Sequence, residues 1–221
     1  MAEHVSRETF PAPDPVVVAE VFAPARLPLL EEYAGLLATE GVTRGLLGPR
    51  EVPRLWDRHL VNCGLLAPLV PEGARVADLG SGAGLPGVVL AIARPDLSVT
   101  LIEPMARRVT FLSEVVAALD LTAVEVVRGR AEEWRRAERF DVVTARALAP
   151  LQRLLVWGLP LVEPGGVLLA MKGSSARDEV AAAHRELRRF RATAEVVTAS
   201  VPGSSVTTVV RVVPEAGPAL G

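Results

Sequence analysis

The chain has 221 residues, half of them apolar, with 24 basic and 26 acidic side chains and a formal charge of −2. That length allows one ordinary domain with an appendage, and the near-neutral charge excludes indiscriminate nucleic-acid binding while leaving room for a local basic patch. A single cysteine, Cys63, excludes an internal disulfide and a multi-cysteine metal site, and no apolar run approaches the roughly 18 residues of a membrane span.

The first residues lack the basic and apolar regions of a signal peptide. The expectation is a cytoplasmic protein, a monomer, with neither a metal nor a membrane partner. Residues 1–14, which include Pro11 and Pro13, read as a mobile tail. An N-terminal helical extension is predicted over 15–72. Asp14 and Pro15 suit the start of a short helix through Phe22. Leu29, Leu30, Tyr33, Leu36 and Leu37 follow helical spacing up to a stop at Gly41. A third helix is predicted from Arg50 to about Leu69, with Arg50, Arg54, Arg58 and His59 on one face.

From residue 73 to 213 strands and helices alternate. Strands are predicted at Arg75–Leu79, Ser98–Glu103, Val124–Arg128, Phe140–Ala145 and Gly166–Met171. Helices are predicted near Pro86–Arg94, Met105–Leu119, Ala131–Arg135, Pro150–Leu161 and Ser175–Phe190. Crossover helices between strands imply an α/β fold with a doubly wound parallel sheet. Ala194–Ser200 and Val206–Val213 flank a Pro-Gly-Ser turn and read as a terminal antiparallel hairpin. Residues 214–221 read as a frayed tail.

The stretch Asp78-Leu79-Gly80-Ser81-Gly82-Ala83-Gly84-Leu85-Pro86-Gly87 joins the first strand to an apolar helix. Its glycines permit positive backbone angles and close approach of a nucleotide-like ligand. Two cofactors fit the spacing. Gly82, Gly84 and Gly87 match a dinucleotide fingerprint, whereas Asp78, Gly80, Gly82 and Gly84 match the loop of S-adenosylmethionine methyltransferases. The next two strands deliver Glu103, suited to ribose hydroxyls, and then Ala131 and Glu132, suited to an adenine edge. Acids at three successive strand ends, with the closing hairpin, favour S-adenosylmethionine and a class I, Rossmann-like methyltransferase fold.

These residues resemble a specific family, the bacterial small-subunit ribosomal RNA guanine-N7 methyltransferases, also called glucose-inhibited division protein B. The resemblance runs from about residue 27 to about 190. It is carried by the Leu85-Pro86-Gly87 end of the glycine loop, Arg107-Arg108-Val109, Arg130-Ala131-Glu132-Glu133, Thr144-Ala145-Arg146-Ala147, Lys172-Gly173 and Arg58-His59-Leu60. The chain departs from the family at Gly41-Val42-Thr43 and at Val61-Asn62-Cys63. The resemblance implies cofactor contacts from Gly80, Leu85, Ala131, Glu132 and Arg146, with Glu103 at the ribose. It also implies methylation of N7 on one guanine in the 530 loop of 16S rRNA, in the free RNA or in the small ribosomal subunit.

Guanine N7 has a lone pair and no proton, so its methylation needs no general base. A fourth strand ending in Thr144-Ala145-Arg146, without an acid, fits such a nucleophile. Arg146 is a candidate clamp for a carboxylate or an RNA phosphate. Lys172, the one lysine among the basic residues, is a candidate for phosphate or the guanine carbonyl. Arg50, Arg54, Arg58 and His59, extended by Arg44, form the candidate RNA face; Arg185, Arg188, Arg189 and Arg191 form a second. The competing readings are a small-molecule methyltransferase and a non-catalytic cofactor-binding regulator.

Overall fold

A computed structural model describes residues 15–134 and 138–215. The two predicted tails lie outside this range, apart from Pro214 and Glu215. Strand β1 (Arg75–Leu79) is central, with β2 (Ser98–Glu103) and β3 (Val124–Arg128) on one side. On its other side lie β4 (Phe140–Arg146) and β5 (Val162–Lys172), then β7 (Thr207–Pro214) and, at the edge, β6 (Ala192–Ala199). Neighbours among β1 to β5 run parallel, and β7 runs antiparallel to both β5 and β6. The strand order reverses between β1 and β4, so a crevice opens beyond their carboxyl ends.

Alternation along the strands decides which face each residue covers. Val76, Leu101, Val142 and Leu169 pack on one face; Ala77, Leu79, Ile102, Val143 and Ala145 pack on the other, against the helix Leu151–Gly158. The N-terminal extension joins the first of these cores. Leu30, Tyr33, Leu37, Leu55, Leu60 and Leu66 are fully buried in the cluster that holds Val76, Val88 and Leu101. The extension is therefore one wall of the domain.

Several predicted elements differ. The helix expected near Ala131–Arg135 is a 3-10 turn (Ala131–Glu133), and Arg135 lies outside the described residues. The helix expected from Arg50 to Leu69 is broken into a 3-10 turn (Pro49–Arg54), a wide π-helical turn (Leu55–Val61), a short α-helical turn (Asn62–Gly64) and a second 3-10 turn (Ala67–Leu69). Pro53 lies inside the first turn; it offers no amide hydrogen and its ring obstructs the carbonyl four residues back. Arg50 and Arg54 consequently do not share one α-helical face with Arg58 and His59. The helix expected over Ser175–Phe190 is two pieces, Ala176–Ala182 and His184–Arg189, separated at the buried Ala183. Strand β5 starts four residues early, because residues between Val162 and Val167 bulge from the ladder with β4 around Gly165 at φ 85°. Pro214 closes β7, and the Glu215 amide donates to the Arg191 carbonyl at 2.7 Å, so these two residues are tied down rather than frayed. Among the described residues no helix is long and apolar enough to cross a membrane.

Candidate active site

The glycine loop leaves β1 with Gly80, Gly82 and Gly84 at φ 66°, 59° and 98°, a region that favours glycine. A Cβ at Gly80 would run into the Leu148 side chain. Most of the loop amides are engaged within the protein. Gly80 and Ser81 donate to the Ile102 carbonyl, Gly82 to Glu103 Oε2, and Gly84 and Leu85 to the Ser81 carbonyl. What the loop mainly offers a ligand is clearance, in line with the close approach its glycines predict.

The acids beneath it are structural in their contacts. Asp78 is fully buried and accepts the Gly87 amide at 3.0 Å, with Oδ1 unpartnered; burial pushes its carboxyl up to about 7. Buried Glu103 accepts the Gly82 amide at 3.0 Å and the Met105 amide at 2.9 Å. From the extension, the buried Tyr33 hydroxyl donates to the Ala83 carbonyl at 2.7 Å and closes the loop from behind. Nothing in the sequence marks Tyr33 as more than one position of an apolar helical stripe.

Two clefts open at the carboxyl edge. The smaller, about 380 Å³, is lined by Gly80–Ala83, Leu85, Glu103, Met105, Leu46, Leu47 and His59. The larger, about 870 Å³, is lined by Arg58, Asn62, Pro150, Met171, Lys172 and Glu179, among others. Arg146, Ala147 and Leu148 line both and form the wall between them. Of the expected cofactor residues, Gly80, Gly82, Leu85, Glu103 and Arg146 meet in the smaller cleft. Asp78 and Gly84 lie behind the loop, while Ala131 and Glu132, on the turn after β3, stand outside the lining.

The cations at this edge differ. Arg146 donates from Nη1 to Cys63 Sγ at 3.3 Å and from Nη2 to the Arg58 carbonyl at 3.0 Å and to His59 Nδ1 at 2.9 Å. None of these acceptors carries a charge, since burial pushes the Cys63 thiol up to about 11. Lys172 instead meets Glu179 Oε2 at 2.8 Å and the Ala149 carbonyl at 2.7 Å, its side chain only 9% exposed. It is not the open cation expected at the end of β5.

The expected RNA face also divides. Arg50 and Arg54 are exposed and form no ion pair among the described residues, Arg58 pairs with Glu51 at 3.3 Å, and Arg44 is held by Glu40 and Glu114. His59 is buried, which removes it from that surface. The second basic group lies at the opposite edge of the sheet, where the helix ending at Arg189 leads into the start of β6. No group of three or more histidine, cysteine, aspartate or glutamate side chains among the described residues could hold a metal ion.

The smaller cleft fits S-adenosylmethionine in size and chemistry. It has a bare backbone wall at Gly80, a carboxylate at Glu103, apolar Leu46, Leu47 and Leu148, and the Arg146 guanidinium, which forms no ion pair among the described residues. The family model described as GidB, rRNA small subunit methyltransferase G, matches residues 26–205. The chain belongs to that family. A relative of the same name from a Nocardioides species is 62% identical over 215 residues, covering 96% of this chain and 85% of its own. Another from Thermobifida fusca is 59% identical over 190 residues, 84% of this chain and 79% of its own. Among solved structures, a precorrin-6y C5,15-methyltransferase from Geobacter metallireducens superimposes with a TM-score of 0.54 at 14% identity, covering 77% of this chain and 91% of its own. A methyltransferase from Pyrococcus furiosus gives 0.55 at 14% identity over 67% and 78%. These likenesses bear out the class I methyltransferase fold. As a member of this methyltransferase family the chain is an enzyme, and its cofactor is S-adenosylmethionine.

Proposed function

We propose that this methyltransferase modifies N7 of one guanine in the 530 loop of 16S rRNA, acting as a monomer in the cytoplasm on the RNA or the small subunit. The observation that carries this reading is that, among the described residues, no carboxylate or histidine lining either cleft is an uncommitted proton acceptor. Glu103 is engaged by two amides, and Glu179 by Lys172, the Leu151 amide and Ser175. His59 is committed at both ring nitrogens. A hydroxyl, thiol or amide nucleophile would need a base to take its proton, whereas guanine N7 has none to lose.

Bound S-adenosylmethionine supplies an electrophilic methyl group on a sulfonium. The Gly80–Leu85 wall and Glu103 would hold its nucleoside part, with Ala131 and Glu132 extending the same edge towards the adenine. Arg146 would clamp an anion, either the cofactor's carboxylate or an RNA phosphate, at the wall where the clefts meet. The larger cleft would receive an unstacked base, which favours loop RNA over duplex. Exposed Arg50 and Arg54 would bind phosphate beyond it. The chain's contribution is alignment, and positioning of this kind can supply roughly 7–11 kcal/mol.

Incubation with methyl-labelled S-adenosylmethionine and 30S subunits tests the reading. The expected result is label in 16S rRNA, at a 530-loop guanine whose N7 methylation makes the strand cleavable by borohydride and aniline. Label at a ring carbon or exocyclic amine, or in small molecules alone, would refute it.

A further inference from the structure

Arg146 has five N–H donors and no acceptor, so every atom that it contacts must accept. Its Nη2 lies 2.9 Å from His59 Nδ1. That contact fixes the histidine tautomer: Nδ1 is bare, and the ring proton sits on Nε2, which donates to Glu51 Oε2 at 3.0 Å. We propose that His59 is a positioning residue for methyl transfer, its bare Nδ1 holding Arg146 in the wall between the two clefts. The proposal rests on the function assigned above and gives the N-terminal extension a part in it.

The reason for a histidine here is electrostatic. A carboxylate would hold Arg146 as firmly, but it would neutralise the charge needed for an anionic ligand. The cradle of His59 Nδ1, the Arg58 carbonyl and Cys63 Sγ orients the guanidinium and leaves its charge intact. All three acceptors come from the extension, over Leu55–Gly64, so this segment sets the position of a β4 side chain. His59 also lines the smaller cleft beside the glycine loop.

A second proton on His59 would undo the arrangement. It would occupy Nδ1, remove the acceptor and set an imidazolium against the guanidinium. Three charged groups face the ring: Arg146 from β4, Glu51 from the 3-10 turn and Arg58 from its own turn. Burial first, then Arg146, hold His59 below the usual histidine range, and the hydrogen bond to Glu51 opposes them. The neutral form is therefore kept at neutral pH, and Arg146 is released on acidification.

The test uses the full chain with 30S subunits, from about pH 5 to about pH 8, and imidazole 15N spectra of the free protein. His59→Asn keeps a side-chain acceptor near the Nδ1 position and cannot titrate; His59→Ala keeps none. The expected wild-type spectrum is the Nε2–H tautomer, and kcat/KM falls along an acid limb. His59→Ala should lower kcat/KM on the order of tenfold at pH 7.5, and His59→Asn should recover most of that and lose the acid limb. A spectrum of the Nδ1–H tautomer, an unimpaired His59→Ala enzyme, or an acid limb kept in His59→Asn would overturn the proposal. If His59→Asn does not fold, Arg146→Gln decides: the His59 titration should move up in the free protein, and an unmoved titration overturns the contact. Absence of transfer by the wild type at every pH would refute the assigned function instead, and the spectra would still decide the His59–Arg146 contact.

Discussion

The ends of β4 and β5 are neighbours in the sheet, and each delivers a cation to the same edge. At β5 the charge is spent within the protein: Lys172 is neutralised by Glu179 and ties the Ala149 carbonyl down. At β4 the guanidinium of Arg146 is held by three uncharged acceptors and faces both clefts. Two cations that look alike in sequence thus do different work. One is tied into the wall beside the clefts by a carboxylate; the other has only uncharged acceptors around it. A neutral cradle costs little attraction for an incoming anion, whereas a buried partner carboxylate would repel it.

The comparison is broken or sharpened most strongly by Arg146→Met. The expected loss in kcat/KM is about 100-fold, equivalent to about 2–3 kcal/mol for a charge-assisted contact, with a melting temperature near that of the wild type. A large stability loss with unchanged kinetics would place Arg146 with Lys172. The converse holds for Lys172→Met. It should cost about 2 kcal/mol in urea unfolding, because Glu179 loses its cation, and Lys172→Met/Glu179→Gln should recover much of it. RNA affinity unchanged by Lys172→Met would confirm the structural role; an affinity loss at full stability would restore Lys172 to direct RNA contact.

Acid titration separates the sheet edge in a second way. Burial pushes Glu179 up, but the hydrogen bonds from Lys172 and the Leu151 amide outweigh it and leave it below the usual carboxylate range. Its stabilisation is present above the unfolded value of about 4.5 and is lost as pH falls through the folded one. Asp78 has the opposite sign. Raised to about 7 by burial, it favours the native state in its protonated form, and that advantage is lost as pH rises through about 7. Asp78→Asn should therefore gain stability over the wild type between about pH 5 and about pH 8. A pH-independent difference in urea unfolding would show that Asp78 titrates normally. The smallest effect is expected for Arg50→Gln/Arg54→Gln. It should flatten the dependence of log K for RNA on log salt by about 1.4 and leave cofactor affinity unchanged.

Much of the site's frame was legible from local patterns. The glycine spacing after β1, the acids at successive strand ends and the alternation of apolar runs with crossover helices each report short-range backbone requirements. They predicted the sheet, its closing hairpin and the edge that carries the clefts. The broken helix over 50–69 was legible too, because Pro53 interrupts it, but helical spacing of the arginines outweighed that signal.

What only the tertiary structure decided is which groups meet. Tyr33 braces a loop 50 residues away, and His59 holds an arginine 87 residues away. Pairings at such separations leave no periodicity in the chain. A buried histidine and a solvated one occupy the same kind of position on a helical turn, and a free lysine reads the same as a neutralised one. The sequence by itself determined the fold and the edge at which the clefts open, since hydrophobic alternation and glycine geometry act residue by residue. Which charge stays open at that edge depends on partners brought together only by packing, so the fold alone settled that Lys172 is paired with Glu179 and that Arg146 is held by uncharged acceptors.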